Sequence, residues 1–237
     1  MSEDEEAPQH VLADGHYAAR DVELGTSFLP HGNATLGPLS IACDGDIAGQ
    51  LWGAGAALSS YVLTGEGRAW FAERPEVVEV GAGTGLLGMA AACAGASAVT
   101  VTDLPENVAR MAVNIEANAE ALEEAGARVV ARALPWGDTD AAYDAAPEGC
   151  DVVLGADLCY NPKLFDALLE TLAELAAVRG ARTFVAVEQR WDFVNQAWEA
   201  ALARSRMELL AQFELPRPDR LPRPVLCFEL GVRDEGG

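Results

Sequence analysis

The amino-acid sequence predicts an α/β fold with a mainly parallel sheet. From the run EVVEV after Pro75 onward, short β-branched runs alternate with longer segments in which apolar residues recur at helical spacing. This alternation is typical of parallel strands connected by helices. Two further apolar runs near the C-terminal end, 208–214 and 225–232, have no helix between them. They predict a final pair of antiparallel strands.

Each element follows from a local pattern. Residues 50–63 place apolar side chains at helical spacing ahead of Gly65, which predicts a helix that ends at this glycine. Two short alternations ahead of this helix, 17–24 and 36–41, predict a frayed N-terminal tail that leads into one or two small strands. The predicted strands of the core are EVVEV, 98–102, 128–133, 151–156, 183–187, 208–214 and 225–232. The predicted helices between them are 85–94, 105–122, 162–178 and 192–204.

Length and composition set the class of protein. The 237 residues suit one domain, which we place at 36–232 between an acidic extension at 1–35 and a short tail at 233–237. With 50% hydrophobic and 22% charged residues, the chain should fold as a globule. Its formal charge of -21 would be repelled by nucleic acid and by anionic lipid, so we expect neither as a partner. The charge favours a basic or lysine-bearing protein surface, and we expect a monomer.

The sequence also bears on location. No apolar run reaches the roughly 18 to 20 residues that a membrane span needs, and the acidic N-terminus lacks the features of a secretory signal. We therefore expect a cytoplasmic protein, with the nucleus as a further compartment. The cysteines show neither CxxC pairs nor an even count, which predicts reduced thiols and no metal site: Cys43, Cys93, Cys150, Cys159 and Cys227. The three histidines, His10, His16 and His31, form no catalytic pattern.

The strongest functional signal is the sequence GAGTG at 81–85, between a predicted strand and a predicted helix. Ligands bind at this place in α/β sheets, although a tight turn can need glycine for structural reasons alone. Asp103, at the end of the next strand, can accept hydrogen bonds from ribose hydroxyls or cap the following helix. Glu79 would repel a pyrophosphate and suit a cationic ligand. The GxGxG spacing also differs from the dinucleotide fingerprint GxGxxG.

These motifs, taken in order, give the chain a family resemblance. LWGAGAALSSYV, VVEVGAGTGLLG with TDLPENVARMAVNIEAN, LPWGD and VVLGADLCYNP span about residues 50 to 190. In this set the chain resembles the seven-β-strand S-adenosylmethionine methyltransferases, and among them the DxxY-motif lysine methyltransferases of non-histone proteins. The resemblance implies a Rossmann-like fold, S-adenosyl-L-methionine as cofactor and a protein substrate that presents a lysine. Chaperones, elongation factors and other ATPases are the substrate classes it implies.

The resemblance also implies residue roles. Asp157 and Tyr160 would be the catalytic residues, at the mouth where the lysine meets the methyl group. The cofactor-binding residues would be Trp52, Glu79, Gly81, Gly83, Asp103, Trp136 and Ala156. We expect Trp136 against the adenine and Trp52 near the methionine moiety. Asp157 is expected to face the substrate without a partner in the protein, so that its loss changes stability little.

Several alternatives stay open at this point. Trp52 and Trp136 could be ordinary core aromatics, and Asp157 could cap the helix after Pro162. The chain could instead be a dehydrogenase, a non-catalytic binding module, or a methyltransferase acting on a histidine, a terminal amine or a small molecule. Lysine must lose its proton before it attacks, at a cost of roughly 4 kcal/mol at neutral pH. Because a carboxylate favours the ammonium form, Asp157 is expected to orient the lysine and not to deprotonate it.

Overall fold

The computed structural model describes residues 28–29, 31–44, 46–146, 148–216 and 223–233. The strands, in chain order, are β1 (Phe28–Leu29), β2 (His31–Leu36), β3 (Leu39–Asp44), β4 (Leu51–Trp52), β5 (Glu76–Val80), β6 (Ala98–Asp103), β7 (Arg128–Ala133), β8 (Val152–Ala156), β9 (Arg182–Glu188), β10 (Met207–Glu214) and β11 (Val225–Val232). The helices are α1 (Gly53–Thr64), α2 (Leu86–Ala94), α3 (Val108–Ala117), α4 (Ala119–Glu124), α5 (Thr139–Ala145), α6 (Phe165–Ala177) and α7 (Asp192–Arg204). Short 3-10 turns lie at Ile47–Gly49, Glu66–Phe71, Pro105–Asn107 and Pro162–Leu164.

Within the described part of the chain, seven strands form the central sheet in the order β10-β11-β9-β8-β5-β6-β7. Strands β5 to β9 are parallel, and β11 runs antiparallel to both of its neighbours. The predicted α/β fold, with a mostly parallel sheet and an antiparallel last pair, is confirmed. Strands β6 and β7 are added on one side of β5, and β8 and β9 are added on the other side. The strand order therefore reverses between β7 and β8, and β5 and β8 are neighbours.

The sheet lies between two layers of helices. Successive residues of β5 show how this core is built: Val77 packs in the apolar cluster with α1 and α2, and Val78 packs in the cluster with α5, α6 and α7. Both faces of the strand are buried, as expected for a parallel sheet covered on both sides. None of the described helices is long and apolar enough to cross a bilayer. The five cysteines are free thiols.

The helix boundaries differ from the prediction in two places. The helix predicted at 105–122 is divided, because Asn118 takes a non-helical φ of -111° between α3 and α4. Helix α5 was not predicted, although Asp138 marks its start: the carboxylate accepts a hydrogen bond from Ala141 N at 3.0 Å. This is an ordinary N-cap. The predicted strand at 17–24 lies outside the described residues, and so does most of the proline-rich segment RPDRLPRP at 217–224, which connects the last two predicted strands.

A hairpin of β2 and β3 lies against α3. Asn118 and Asn114 bond to the backbone of Ser40 and Ala42, and each side-chain amide both accepts from the N–H and donates to the carbonyl. Four residues of a helix advance about 6 Å and two residues of a strand about 6.6 Å, so the two rows match. Strand β2 begins at His31, so this hairpin crosses the domain boundary predicted at residue 36. The hairpin leads into residues 46–50, which lie against the glycine loop at 81–85.

Candidate active site

The sheet brings four loops together at one edge. Val80 lies opposite both Thr102 of β6 and Gly155 of β8, and Ala156 lies opposite Ala186 of β9. The parallel strands β5, β6, β8 and β9 therefore end together. The glycine loop after β5, the end of β6, the segment after β8 and the segment after β9 all meet at this edge, where α/β folds bind ligands.

The glycine loop needs glycine at two of its positions for steric reasons. Gly81 and Gly83 have φ of 62° and 56°, in the left-handed region that favours glycine. A Cβ at Gly81 would come within 2.5 Å of Leu158 Cδ2 and 3.2 Å of Trp136 Cζ2, and a Cβ at Gly83 would meet Ala48 O at 2.6 Å. Trp136 thus lies directly against the loop. So does Leu158, a residue that the sequence analysis did not single out.

Asp103 bonds to the glycine loop and to the segment after β6 at the same time. Its Oδ2 accepts a hydrogen bond from Gly83 N at 2.8 Å. Its Oδ1 accepts from Leu104 N and from Asn107 Nδ2, both at 2.7 Å. The capping role is not seen: Leu104 is the N-cap residue of the turn at Pro105–Asn107, and no side chain of the described residues caps this turn or α3. The contacts of Asp103 do not exclude ribose binding, since each carboxylate oxygen has further acceptor capacity.

Glu79 lies beneath the glycine loop. The residue is 3% exposed, and its Oε2 accepts a hydrogen bond from Gly88 N at 2.7 Å, in the first turn of α2. Burial raises the pKa of Glu79 to about 8; the Gly88 N–H opposes this rise and the charge of Asp103 adds to it. A carboxyl group at the start of α2 occupies the place where dinucleotide-binding folds hold a pyrophosphate.

The N-terminal segment 46–50, here called the strap, covers the loop. Its position is fixed by Arg110 of α3, which pairs with Asp44 at 2.7 Å and with Asp46 at 3.2 Å. Arg110 also donates to Asn107 Oδ1 at 2.6 Å, and Asn107 in turn bonds to Asp103. A chain of polar contacts therefore connects the strap to the carboxylate at the end of β6.

Trp52 links the strap to the other side of the site. It is partly exposed, its Nε1 donates to Ile47 O at 2.9 Å, and the Arg190 guanidinium lies 5.0 Å from its ring centroid. Trp136 is also partly exposed. Neither ring is a fully buried core aromatic. Their predicted contacts with the cofactor stay predictions.

Asp157 has partners in the protein, so the expectation of an unpaired carboxylate is wrong. Its Oδ2 accepts a hydrogen bond from Ala54 N at 3.0 Å and lies 3.1 Å from Arg190 Nη2, with the side chain 6% exposed. Asp157 therefore caps α1, whose first N–H groups need acceptors. The helical turn after Pro162 is capped by Asn161 instead, which accepts from Lys163 N at 3.1 Å.

The backbone and the charges at Asp157 are both unusual. Its φ is 56°, a left-handed value that aspartate tolerates better than most residues. Burial raises the pKa of Asp157, while the charge of Arg190 and the Ala54 N–H oppose the rise and the charge of Glu188 adds to it. Glu188 is fully buried and its Oε2 lies 2.7 Å from Arg190 Nη2. A carboxylate, a guanidinium and a second carboxylate thus form one cluster.

Arg190 and Glu188 were not assigned to the site from the sequence. The available signal was EQR at the end of a buried strand, where charged side chains need partners. Tyr160 is 47% exposed, and burial together with the charge of Asp103 raises its pKa. Ala156 lies against α1, since a Cβ at Gly55 would approach Ala156 Cβ at 3.9 Å. All nine predicted site residues therefore lie at or beside this edge of the sheet.

A cavity lies apart from this edge of the sheet. Its volume is about 530 Å³, and it is lined by the rings of Tyr61, Trp70 and Phe213. Tyr61 is seven residues beyond Ala54 along α1, about 10 Å from the end that Asp157 caps. Within the described residues, no group of three His, Cys, Asp or Glu side chains is arranged to hold a metal ion.

Fold and site together define a Rossmann-like α/β domain with a ligand-binding edge. SMU.776, a protein described as a methyltransferase and complexed with SAH, has this fold: the TM-score is 0.57 at 15% identity, over 82% of this chain and 53% of that one. At this identity the likeness shows the fold alone. The chain belongs to the lysine methyltransferase family, whose model matches residues 39–202. The family resemblance is thereby confirmed.

Two curated relatives have closer sequences. EEF1A lysine methyltransferase 3 of Mus musculus is 35% identical over 134 residues, which are 56% of this chain and 53% of the relative. The protein N-lysine methyltransferase METTL21A of Mus musculus is 35% identical over 131 residues, 55% of this chain and 56% of the relative. The chain thus matches little more than half the length of these relatives.

Proposed function

We propose that this protein transfers a methyl group from S-adenosyl-L-methionine to the ε-amine of a lysine in a non-histone protein. One observation carries the proposal: a glycine loop held by Asp103 and a buried Asp157 with fixed partners lie at the same edge of the sheet. Membership of the lysine methyltransferase family supports the same reaction.

The residues at the loop fit such a cofactor. Glu79 accepts from the first turn of α2 through Oε2, so its other oxygen remains for a cationic amino group. Asp103 would hold the ribose hydroxyls, and Trp136, which lies against Gly81, would cover the adenine. Trp52, Gly83 and the Ala156 backbone would complete the methionine side. Two carboxyl groups and no described cation on the loop argue against the pyrophosphate of a dinucleotide, which disfavours the dehydrogenase alternative.

The acceptor side fits an amine. Both described contacts of the Asp157 carboxylate, the hydrogen bond from Ala54 N and the ion pair with Arg190, use Oδ2, which would leave Oδ1 for the substrate nitrogen. The Asp157 side chain is 6% exposed, so a small part of it stays accessible. Tyr160 stands at the mouth with an exposed ring. It would supply an aromatic wall for the lysine stem.

Bound S-adenosyl-L-methionine supplies a methyl carbon activated by its sulfonium, to which the lysine nitrogen bonds as the sulfur–carbon bond breaks. The protein orients the nitrogen through Asp157 Oδ1 and excludes water with Tyr160, Trp52 and the strap. Because an ammonium cannot attack, its proton leaves to water before transfer, and Asp157 acts as an anchor and not as a base. Positioning and electrostatics would supply most of the rate.

The partner we propose is a folded protein. Large apolar side chains that are 45% to 69% exposed lie on the strap, on the loops after β6, β8 and β9, and in the first turn of α7, beside the site: Ile47, Leu104, Tyr160, Trp191 and Phe193. Such a rim is typical of a protein-binding surface. One relative is named for EEF1A, so an elongation factor is the first substrate to test, with chaperones and other ATPases next. We propose that the enzyme is a cytoplasmic monomer.

Two measurements test this function. Calorimetry should show S-adenosylhomocysteine binding that weakens strongly in Asp103→Ala, and a preference for NADH would refute the cofactor. Tritiated S-adenosylmethionine added to a cell extract with the enzyme should label a discrete protein band. Label on nucleic acid, on a small molecule or on a histidine would refute the lysine acceptor, and no label with the full chain would refute the activity.

A further inference from the structure

Asp157 belongs to a buried charge cluster with Arg190 and Glu188, and the proposed reaction gives these last two residues no role. Arg190 Nη2 lies 3.1 Å from Asp157 Oδ2 and 2.7 Å from Glu188 Oε2, and Arg190 Nε donates to the same Glu188 oxygen at 3.0 Å. The three side chains are 12%, 6% and 0% exposed for Arg190, Asp157 and Glu188. On the other side, the guanidinium stacks on Trp52. Arg190 is therefore held on three sides.

The cluster fixes the orientation of Asp157. Its Oδ2 is held by donors from two different elements, Ala54 N of α1 and Arg190 after β9. Two contacts on one oxygen stop the carboxylate from rotating, so Oδ1 keeps a constant direction. Without Arg190, a single backbone N–H would remain, and either oxygen could accept it.

The cluster also sets the charge at the acceptor end. Two buried carboxylates and one guanidinium leave one negative charge, which the ammonium of an incoming lysine would neutralise. If Arg190 were absent, Asp157 would lose the guanidinium that opposes the rise of its pKa, while the charge of Glu188 that adds to the rise would remain. The thiol of Cys159 also lies near Asp157, but burial raises its pKa well above the ordinary value and keeps it neutral.

We propose that Arg190 is a positioning residue: it turns Asp157 Oδ1 toward the acceptor amine and keeps that carboxylate charged, with Glu188 holding Arg190 in place. This inference rests on the proposed function for the identity of the acceptor. Its electrostatic part concerns the protein alone, so it can be tested without any substrate.

The first test is a carbon NMR titration of the Asp157 carboxyl group, assigned by its absence in Asp157→Asn. Arg190→Gln should raise the pKa of Asp157 by about 1 to 3 units, the usual effect of an adjacent opposite charge. The double variant Arg190→Gln with Glu188→Gln removes one charge of each sign. Because Glu188 acts on Asp157 less strongly than Arg190 does, the double variant should reverse part of this rise. Arg182→Gln, which removes an exposed arginine at the other end of β9, is the matched control.

The second test is kinetic. Arg190→Gln should raise the acceptor KM at least tenfold, whereas S-adenosylhomocysteine affinity should change less. Arg190→Lys keeps the charge but loses the planar guanidinium with its several N–H donors. It should therefore preserve the pKa of Asp157 and still raise the acceptor KM. An unchanged Asp157 pKa in Arg190→Gln would overturn the proposal, as would a double variant whose pKa is raised as far as in Arg190→Gln alone. If the parent transfers no methyl group, the proposed function fails while the titration still decides the role of Arg190. If Arg190→Gln does not fold, the double variant and Arg190→Lys decide it.

Discussion

Glu79 should make the stability of this protein fall as the pH rises. Its pKa lies at about 8 in the folded protein against an ordinary 4.5, because the carboxyl group is buried under the glycine loop. A raised folded-state pKa contributes stability that is fully present below 4.5 and is lost as the pH rises through 8. At about 1.4 kcal/mol per pH unit, the difference amounts to roughly 3 to 5 kcal/mol.

The substitution that isolates this effect is Glu79→Gln, because glutamine keeps the size and the acceptor for Gly88 N but does not ionise. Urea unfolding at pH 5.5, 6.5, 7.5 and 8.5 should show a free-energy gain over the parent that grows with pH toward that limit. Glu120→Gln, on the exposed face of α4, should show no such trend. A difference between Glu79→Gln and the parent that does not vary with pH would refute the reasoning.

The same group predicts a linked effect on binding, and three further predictions follow from the site. A cation beside Glu79 favours its ionised form, so S-adenosylmethionine binding should release protons at pH 7.5. Calorimetry in two buffers of different ionisation enthalpy measures this release, and equal binding heats in the two buffers would contradict it. Trp136→Ala should weaken S-adenosylhomocysteine binding by about 1 to 3 kcal/mol if the ring stacks on the adenine, with Trp191→Ala as an exposed control. Asn118→Ala removes both bonds to Ser40 and should lower the free energy of unfolding by roughly 2 to 4 kcal/mol in urea; a loss below 0.5 kcal/mol would show that the hairpin does not depend on it. Asp157→Ala, contrary to the sequence-based expectation, should lower the free energy of unfolding by about 2 to 5 kcal/mol. The substitution removes the cap of α1 and one of the two carboxylates that Arg190 contacts.

The sequence predicted the sheet well because each strand is a short apolar run with clear boundaries. The strand predicted at 128–133 and the helix predicted at 192–204 match β7 and α7 at both ends. Helix 105–122 failed at Asn118, because that residue bonds to Ser40, which lies far away in the chain. A contact of this kind leaves no signal in local periodicity.

The site shows the same contrast. The glycine loop and Asp103 were predictable because a strand, a glycine turn and a helix are consecutive in the chain. The pairing of Asp157 with Arg190 and Ala54 was not, since it joins three segments that only the folded sheet edge brings together. Arg190 could be recognised only as a charge at the end of a buried strand, with no sign of which carboxylate it serves.

Methyl transfer to a protein lysine is the central claim, and one comparison tests it most directly. The parent and Asp157→Asn are each incubated with S-adenosylmethionine and the labelled acceptor protein, and mass spectrometry maps the modified residue. The account predicts methylation of one lysine by the parent, a loss of two or more orders of magnitude in Asp157→Asn, and S-adenosylhomocysteine affinity within about threefold. Equal methylation by both proteins, or a modified residue other than lysine, would contradict it.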